Sequence, residues 1–154
     1  MLESTKIAVL MGGPGSERQV SLASGKAVLN ALLSIGLDAI RVDVTGTEID
    51  LPEGTGLCFN LIHGTFGEDG QLQEILDAKG IPYTGARAKS SRIAFDKNLA
   101  KQAFIAGGVP TPRSEIIDCT DGPVRPSFPA PFVVKPPREG SSVGIEIVKT
   151  QEEA

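Results

Sequence analysis

The hydrophobic pattern of the chain begins with a short apolar run, followed by a longer segment of helical periodicity. Residues Ile7–Met11 are all apolar and end in the glycine turn 12–15, which is typical of a parallel strand buried on both faces. The next segment predicts a helix capped by Ser16, with Gln19 completing a capping box, and ended by Gly36. Its predicted inward positions are Val20, Ala23, Ala27, Ala31 and Ile35, widened by Val28 and Leu32.

The same alternation of strand and helix then repeats. Apolar residues alternate with polar ones from Ile40 to Val44, and Leu57–Ile62 is another apolar run. Gln71–Lys79 predicts a short helix ended by Gly80, and Ile81–Thr84 behind it predicts a short extended segment. This order predicts an α/β fold, a Rossmann-like parallel sheet with helices on both faces. The inward residues of the short helix are expected to be Leu72, Ile75 and Leu76.

The pattern changes further along the chain. Ser90 or Ser91 is expected to cap a third helix that reaches about Ala106 and ends at Gly107-Gly108. After a proline-rich loop, Phe132–Lys135 and the alternating residues of 143–147 predict antiparallel hairpins. We therefore expect two domains, residues 1–108 with the parallel sheet and residues 109–154 with the beginning of an α+β domain. At the end, Thr150–Glu153 predicts a capping box that opens a helix, so we expect the natural polypeptide to continue.

Composition and charge exclude several classes of function. The net charge is −4, from 19 acidic and 15 basic residues, so no overall positive field attracts nucleic acid or anionic lipid. Residues 1–5 carry an acid where a signal peptide carries lysines, and no apolar run is long enough to span a membrane. The two cysteines cannot form a disulfide framework, and Cys58 lies in an apolar run. We expect a cytoplasmic protein with a reduced, buried thiol and no nucleic-acid or membrane partner.

The first candidate site is the turn Gly12–Arg18, which joins a strand to a helix N-terminus. Backbone amides and the helix dipole attract anions at such a place, so dinucleotide binding is one interpretation. Against it, Arg18 replaces the third glycine of the fingerprint, and Glu17 puts a carboxylate where a pyrophosphate would lie. A carboxylate there suits the ammonium group of an amino acid. The simpler interpretation is that Glu17 only complements the helix dipole, worth about 0.3–1 kcal/mol.

The second candidate is the segment Asn60–Gly70, which contains the only histidine of the sequence, His63. It follows a predicted strand, and in open parallel sheets ligands bind at the carboxyl ends of the strands. A lone histidine is more often an ordinary hydrogen-bonded residue, and clusters of glycine and acid are more often turns. Because both loops follow strands of one parallel sheet, we expect them on the same edge.

The third candidate pairs Lys135 with the loop Glu139–Gly144. Two glycines around two hydroxyls make a hairpin tip whose amides and hydroxyls can fold over phosphate oxygens, while the lysine supplies a point charge. The loop lacks the Gly-Lys-Ser/Thr of a Walker motif and is followed by a strand, and its simpler interpretation is an exposed turn. The pair Asp96-Lys97, on the third predicted helix, would alone be a solvated charge pair.

Together these segments resemble the D-alanine:D-alanine ligases, a family of the ATP-grasp superfamily. The resemblance covers about Lys6 to Lys149, and the order and spacing of its blocks make it specific. It departs at Ala86-Arg87 and at Phe95, where the family has a small pair and a methionine. The matching blocks are Gly12–Leu22, His63-Gly64, Gly67–Gly70 with Gln73, Pro82–Gly85, Asp96-Lys97, and Lys135-Pro136 with Glu139–Gly144.

The resemblance implies a pre-ATP-grasp domain followed by an ATP-grasp domain, and a reaction that serves peptidoglycan synthesis. ATP phosphorylates the carboxylate of one D-alanine, and the amino group of a second attacks the acylphosphate. Glu17 and Ser141 are implied as catalytic residues, with Glu17 holding the first ammonium group and Ser141 hydrogen-bonding toward it. The implied substrate-binding residues are Glu17, Val20, Ser21 and His63, and the implied ATP-binding residues are Lys97, Lys135, Ser141 and Ser142.

The resemblance also places much of the family's machinery after Ala154, including the Mg²⁺ ligands and the second amino-acid subsite. We therefore expect no metal ligands within this sequence and no ligation by these 154 residues alone. The residues that choose among D-alanine, D-lactate and D-serine also lie there, and the full-length protein is expected to be a homodimer. Two alternatives stay open, a stand-alone binding module with half of the ligase fold and a dinucleotide-dependent oxidoreductase.

Overall fold

The computed structural model describes residues 4–153, which divide into two compact units at Phe95/Asp96. This division lies before the boundary predicted after Gly108. The assignment of residues 1–108 and 109–154 to two functional domains therefore stays a prediction. The acidic start at residues 1–3 and the final Ala154 lie outside the described residues.

The first unit is built on a parallel sheet. Its strands are β1 (Lys6–Gly12), β2 (Ala39–Val44) and β3 (Thr55–Asn60), and β1 lies in the middle, paired in parallel with both neighbours. Tyr83, in the segment predicted to be extended, forms a parallel bridge to Cys58 at the outer edge of β3. The predicted parallel α/β fold is confirmed.

Helices cover both faces of this sheet, as predicted. Helix α1 (Arg18–Ser34) packs on the face formed by Ile7, Val9 and Met11 of β1. Helix α2 (Gln71–Ala78) places Leu72 and Leu76, both fully buried, on the opposite face with Ala8 and Leu10. Because successive side chains of a strand point to opposite faces, the wholly apolar β1 supplies both layers of the core.

Helix α1 does not begin or face the sheet as predicted. It starts at Arg18 with Glu17 as the N-cap residue, so the predicted capping box of Ser16 and Gln19 is wrong. Val20 and Ile35 are 57% and 71% exposed, and the predicted inward alanines are exposed as well. Of the predicted positions, Val28 and Leu32 do pack against Ile7, Val9 and Met11. The other residues that face the sheet are Ser21 and Gly25, which are buried, and Leu22 and Leu29.

The end of α1 agrees with the prediction. Gly36 has a φ of 79°, and its N–H donates to the carbonyl oxygen of Leu33 at 3.1 Å. The N–H of Leu37 donates to the carbonyl oxygen of Leu32, also at 3.1 Å. These two bonds form a Schellman motif, which favours glycine because L side chains rarely adopt the left-handed conformation.

Gly25 lets α1 approach the sheet closely, and replacing it with alanine is expected to destabilise the protein. A Cβ atom at this position would lie 2.5 Å from the Cβ atom of Met11. The helix propensity gained is about 1 kcal/mol, whereas overpacking a tight core costs about 1–3 kcal/mol. Gly25→Ala should therefore lower the free energy of unfolding in urea by up to about 2 kcal/mol.

A matched control for this prediction is Gly46→Ala, because a Cβ atom at Gly46 would meet nothing within 4 Å. This variant should unfold at the same urea concentration as the unchanged protein. Equal or increased stability of Gly25→Ala would show that α1 can move away from β1 without cost.

The predicted third helix is two helices. Helix α3 (Ala88–Phe95) and helix α4 (Lys97–Ala106) are separated by Asp96, whose backbone is extended at φ −88° and ψ 112°. The Asp96 side chain caps α4, and Ser90 and Ser91 lie inside α3, so their predicted capping role is wrong. An aspartate in a helical pattern competes for backbone N–H groups and so can start a new helix.

The second unit contains the predicted hairpin. Strands β4 (Phe132–Val134) and β5 (Glu146–Val148) pair in antiparallel register, with Val133 opposite Ile147. Before β4, the Phe128 ring packs edge-on against Phe132, and the Arg113 guanidinium lies over Phe128. At residues 150–153 the described chain forms a turn, in which the Thr150 N–H donates to the Glu153 carboxylate at 3.4 Å. This bond is half of the predicted capping box.

Cys58 is fully buried in β3, as predicted, and burial raises the pKa of its thiol to about 11. A neutral thiol of this kind behaves as a small apolar side chain. Within residues 4–153, no helix combines the length and apolar character needed to cross a bilayer.

Candidate functional site

Two loops meet at the carboxyl edge of the sheet. We call residues 13–17, after β1, the first loop and residues 61–70, after β3, the histidine loop. A Cβ atom on Gly15 would lie 3.7 Å from the carbonyl oxygen of Thr65. The Oε2 atom of Glu17 lies 2.7 Å from the position that a Cβ atom on Gly64 would occupy. The expectation that both loops lie on one edge is therefore confirmed, and the Glu17 carboxylate lies against the histidine loop.

Gly64 makes this approach possible. Its φ of 67° is left-handed, and any side chain there would displace the Glu17 carboxylate. The position therefore needs glycine both for its backbone conformation and for the space that the carboxylate fills.

Ser21 connects the end of β1, where the first loop begins, to the start of the histidine loop. Its hydroxyl accepts a hydrogen bond from the N–H of Gly12 at 2.8 Å and donates one to the carbonyl oxygen of Leu61 at 2.6 Å. The side chain is fully buried. This geometry supports a positioning role for Ser21, and the predicted direct contact with a substrate stays a prediction.

His63 is held from two sides. Its Nε2 atom lies 3.3 Å from the Ser24 hydroxyl, on the helix turn after Ser21, and its Nδ1 atom lies 3.7 Å from Oε1 of Glu68. The other carboxylate oxygen of Glu68 accepts a hydrogen bond from the N–H of Gly64 at 3.0 Å. The histidine loop therefore presents a second carboxylate close to that of Glu17, around an imidazole whose side chain is 32% exposed.

The histidine loop is fixed by its own hydrogen bonds. The Asp69 carboxylate accepts from the N–H groups of Phe66 and Gln71, and the carbonyl oxygen of Gly67 accepts from the side-chain amides of Asn60 and Gln73. Beneath it the Phe66 ring is fully buried. Loop residues bonded and packed in this way can hold functional groups in one geometry.

Arg18 anchors the start of α1 to β2. Its guanidinium donates to the carbonyl oxygen of Val44 and to the carboxylate of Asp43, both at 2.8 Å, and Arg41 pairs with the other Asp43 oxygen. Burial opposes ionisation of Asp43, but hydrogen bonds and charges from the two arginines hold its pKa below its usual range. The arginine that replaces the third glycine of a dinucleotide fingerprint therefore fixes Glu17, its neighbour in sequence, at the carboxyl edge.

A second group of predicted residues lies in the second unit. The Nζ atom of Lys97 donates to the carbonyl oxygen of Glu139 at 2.6 Å. The backbone N–H of Lys97 donates to the carbonyl oxygen of Pro137 at 2.9 Å. The carboxylate of Asp96 accepts a hydrogen bond from Nε of Arg138 at 2.8 Å. Lys97 is thus attached to the segment that leads into residues 140–144, which we call the glycine–serine loop.

The glycine–serine loop is a tight, exposed turn between β4 and β5. Ser141 and Ser142 adopt left-handed backbones with φ of 50° and 64°. Lys135, which follows β4 directly, is exposed at the base of the same hairpin. Lys97, Lys135, Ser141 and Ser142 therefore all belong to the second unit, and Glu17, Val20, Ser21 and His63 all belong to the first. The predicted hydrogen bond between Ser141 and Glu17 stays a prediction.

Some residues of these groups were not predicted from the sequence. Ser24 and Glu68 hold His63, and Arg138 pairs with Asp96. Ser24 lies one helical turn from Val20 and Ser21, so correct orientation of α1 would have indicated it. Nothing in the sequence distinguishes Arg138 from an ordinary exposed arginine, because its partner is distant along the chain.

Across the described residues, no group of three or more His, Cys, Asp and Glu side chains is arranged to hold a metal ion. The predicted placement of the Mg²⁺ ligands after Ala154 stays a prediction.

Comparisons with known proteins show which family this chain resembles. Residues 38–86 match the family described as D-ala D-ala ligase N-terminus. A D-alanine–D-alanine ligase of Methylacidiphilum infernorum is 50% identical over 142 residues, which are 92% of this chain and 46% of that protein. One from Geobacter sulfurreducens is 48% identical over 163 residues, covering 99% of this chain and 49% of that protein. The chain matches the N-terminal part of D-alanine–D-alanine ligases.

Solved structures of D-alanine–D-alanine ligases agree with this. The enzyme of Bacillus anthracis matches with a TM-score of 0.79 at 31% identity, over 97% of this chain and 51% of that one. The enzyme of Helicobacter pylori matches in fold, with a TM-score of 0.78 at 23% identity, over 97% of this chain and 57% of that one. The chain spans about half the length of the D-alanine–D-alanine ligases that it matches.

Proposed function

We propose that this chain forms the N-terminal part of an ATP-dependent ligase that joins two D-alanines through an acylphosphate. The observation that carries the proposal is the position of the Glu17 carboxylate against Gly64, the residue after His63, at the edge of the sheet where ligands of such folds bind. The relatives named above, which are D-alanine–D-alanine ligases, support the same reaction.

The first unit would bind the first D-alanine. Glu17 would receive its ammonium group, aided by the nearby negative charge of Glu68, and exposed Val20 would offer an apolar surface to its methyl group. His63, held by Ser24 and Glu68, would line the same subsite. Ser21 would fix the distance between the loops that carry these groups.

The second unit would bind the phosphates of ATP. An ammonium group has three donors, so Lys97 can keep its bond to Glu139 and still reach phosphate oxygens. Lys135 would supply a second positive charge. Successive amides in turns such as the glycine–serine loop can bind anions, and the hydroxyls of Ser141 and Ser142 would add donors.

The reaction would proceed in two steps. A carboxylate oxygen of the first D-alanine attacks the terminal phosphorus of ATP, and ADP leaves with the electron pair of the broken bond. The amino group of the second D-alanine then attacks the acyl carbon, loses a proton, and expels phosphate. Positive groups near the transferred phosphoryl, here Lys97 and Lys135, would stabilise its negative charge. The Mg²⁺ ligands are expected outside the described residues, in which no group of three or more His, Cys, Asp and Glu side chains is arranged to hold a metal ion.

The test is an assay of phosphate release by the full-length gene product with ATP and D-alanine. Phosphate release that depends on D-alanine, with formation of D-alanyl-D-alanine, is the expected result. Amino-acid binding without turnover would instead favour the alternative of a stand-alone binding module. The dinucleotide-dependent alternative has little support, because Arg18 and Glu17 occupy the place of the pyrophosphate site.

Glu17→Gln in the full-length protein is expected to raise KM for the first D-alanine and lower kcat/KM by about 10–100-fold, since hydrogen bonds to charged groups contribute about 1.5–3 kcal/mol. Steady-state kinetics with varied D-alanine measures this. The control is Glu48→Gln, which removes an exposed carboxylate that belongs to neither loop. If the two variants behave alike, Glu17 is not the ammonium ligand.

Two further expectations belong to the same proposal. We place the protein in the cytoplasm, where the precursors of peptidoglycan are made. We also expect the full-length protein to be a homodimer, which sedimentation analysis of the gene product would test.

A further inference from the structure

The Asp96 carboxylate connects two parts of the second unit. Its Oδ1 atom accepts hydrogen bonds from the N–H groups of Asn98 at 2.9 Å and Leu99 at 3.2 Å, which caps α4. Its Oδ2 atom accepts the hydrogen bond from Nε of Arg138 at 2.8 Å. One carboxylate thus holds the first turn of α4 and the segment before the glycine–serine loop.

Lys97 lies between these two parts and is bonded at both ends. Its backbone N–H binds the carbonyl oxygen of Pro137, and its ammonium binds that of Glu139. With the ion pair of Asp96 and Arg138, three hydrogen bonds fix residues 137–139 against the start of α4. The position of the ammonium and that of the glycine–serine loop therefore depend on one another.

The stability of the ion pair alone does not explain this arrangement. The Arg138 side chain is 73% exposed, and exposed ion pairs contribute little to folding, about 0–1 kcal/mol. The Asp96 side chain is only 10% exposed, and the hydrogen bond from Arg138, followed by those from the amides of Leu99 and Asn98, holds its pKa below its usual range. Asp96 therefore stays ionised and oriented. The exposed arginine adds little stability, and its main effect is to fix the position of residues 137–139.

The glycine–serine loop needs such support at its base. Ser141 and Ser142 have left-handed backbones, a conformation that costs L residues about 1–2 kcal/mol each. A Cβ atom on Gly144 would lie 2.7 Å from Cγ of Pro136, so the loop closes tightly on the segment that Arg138 anchors. A shift of about 1 Å in such a group can reduce a rate about 100-fold.

We propose that Asp96 and Arg138 are positioning residues that hold the Lys97 ammonium and the glycine–serine loop in one fixed geometry for binding the phosphates of a nucleotide. The inference rests on the proposed function for the identity of that nucleotide as ATP. Neither residue needs to touch the nucleotide, since both act through Lys97 and through the backbone of residues 137–139.

Three variants of the full-length protein separate the contributions of the pair. Asp96→Asn keeps an oxygen that can cap α4, because asparagine caps helices as well as aspartate does. The same change removes the charge that orients Arg138. Arg138→Gln removes the opposite charge, and Arg138→Lys restores charge without the planar guanidinium. The matched control is Arg92→Gln, which breaks an arginine–carboxylate pair with Glu74 on the first unit.

The expected result is a selective effect on the nucleotide. Asp96→Asn and Arg138→Gln should raise KM for ATP about 10-fold, or 1.4 kcal/mol by the conversion of fold-change to energy, and leave KM for D-alanine within about twofold. Arg138→Lys should recover part of the loss, and the double variant should be no worse than either single one, because both changes break one interaction. Arg92→Gln should change neither constant.

A second measurement does not depend on catalysis. A glutamate-specific protease should cut after Glu139 several-fold faster in Asp96→Asn and Arg138→Gln than in the unchanged protein or in Arg92→Gln. If the unchanged protein releases no phosphate with D-alanine, the proposed function fails, and the cleavage rates still test the pair. The inference is overturned by unchanged cleavage rates, by equal increases of KM for ATP and D-alanine, or by losses that multiply in the double variant.

Discussion

Phe66→Ala is expected to lower the free energy of unfolding by about 3–5 kcal/mol, the range measured for large-to-small changes of buried aromatic residues. The Phe66 side chain is fully buried in the core cluster, together with Ile62 and Leu72. Its backbone N–H donates to Asp69, and its carbonyl oxygen accepts from the N–H of Leu72. The substitution would leave a cavity directly beneath the histidine loop, so His63 should lose its fixed position as well.

Urea unfolding followed by circular dichroism measures this effect. The control is Phe104→Ala on α4, where the ring is 49% exposed and the loss should stay below about 1 kcal/mol. Equal losses at the two positions would show that Phe66 does not support the core.

A glycine at the same position adds a second test. Phe66 has a φ of 77°, which is unfavourable for any L residue and therefore for alanine too. Phe66→Gly removes the same ring without that conformational cost, so it should be at least as stable as Phe66→Ala. A glycine variant clearly less stable than the alanine variant would mean that the backbone strain is relieved elsewhere in the fold.

The parallel sheet could be predicted because its central strand is unambiguous. The run Ile7–Met11 is apolar at every position, and a strand of this kind must be buried on both faces. Helix α2 was equally clear, since Leu72 and Leu76 recur at helical spacing and Gly80 follows. In such elements local propensity and burial indicate the same structure.

The orientation of α1 could not be predicted because its contact with the sheet uses small residues. A count of apolar positions favoured the alanines and Val20, whereas the helix packs through Ser21, Gly25 and the leucines beside them. Gly25 faces Met11 because nothing larger fits, which is a property of the tertiary contact and not of the helix. The break at Asp96 has a local cause instead, since the Asp96 side chain caps α4 by accepting from the N–H groups of Asn98 and Leu99.

The candidate site was predictable to different degrees in its two parts. The carboxyl ends of β1 and β3 lie side by side in any parallel sheet of this order, so the approach of Glu17 to the histidine loop follows from topology. The support of His63 by Ser24 and Glu68 depends on side-chain geometry that periodicity does not reveal. In the second unit, the short strands leave Val133, Val134 and Ile147 exposed, so burial gives little guidance there.

Ser21→Ala is expected to lower the free energy of unfolding by about 2–6 kcal/mol, because it leaves a buried N–H and a partly buried carbonyl oxygen without their partner at about 1–3 kcal/mol each. These groups are the N–H of Gly12 and the carbonyl oxygen of Leu61, which end β1 and begin the histidine loop. The lost hydroxyl is fully buried, so water cannot replace it without opening the contact between the loops.

Ser34→Ala is the matched control for this substitution, since its exposed hydroxyl donates only to the carbonyl oxygen of Ala31 within the same helix, and its loss should cost about 0.5 kcal/mol or less. Urea unfolding of both variants gives the stabilities, and D-alanine kinetics of the full-length protein gives KM. A large loss of stability in Ser21→Ala supports the positioning role. Unchanged stability with a raised KM for D-alanine would instead mean that Ser21 binds the substrate directly, because a hydroxyl that only joins two loops cannot be removed from a dry site at no cost.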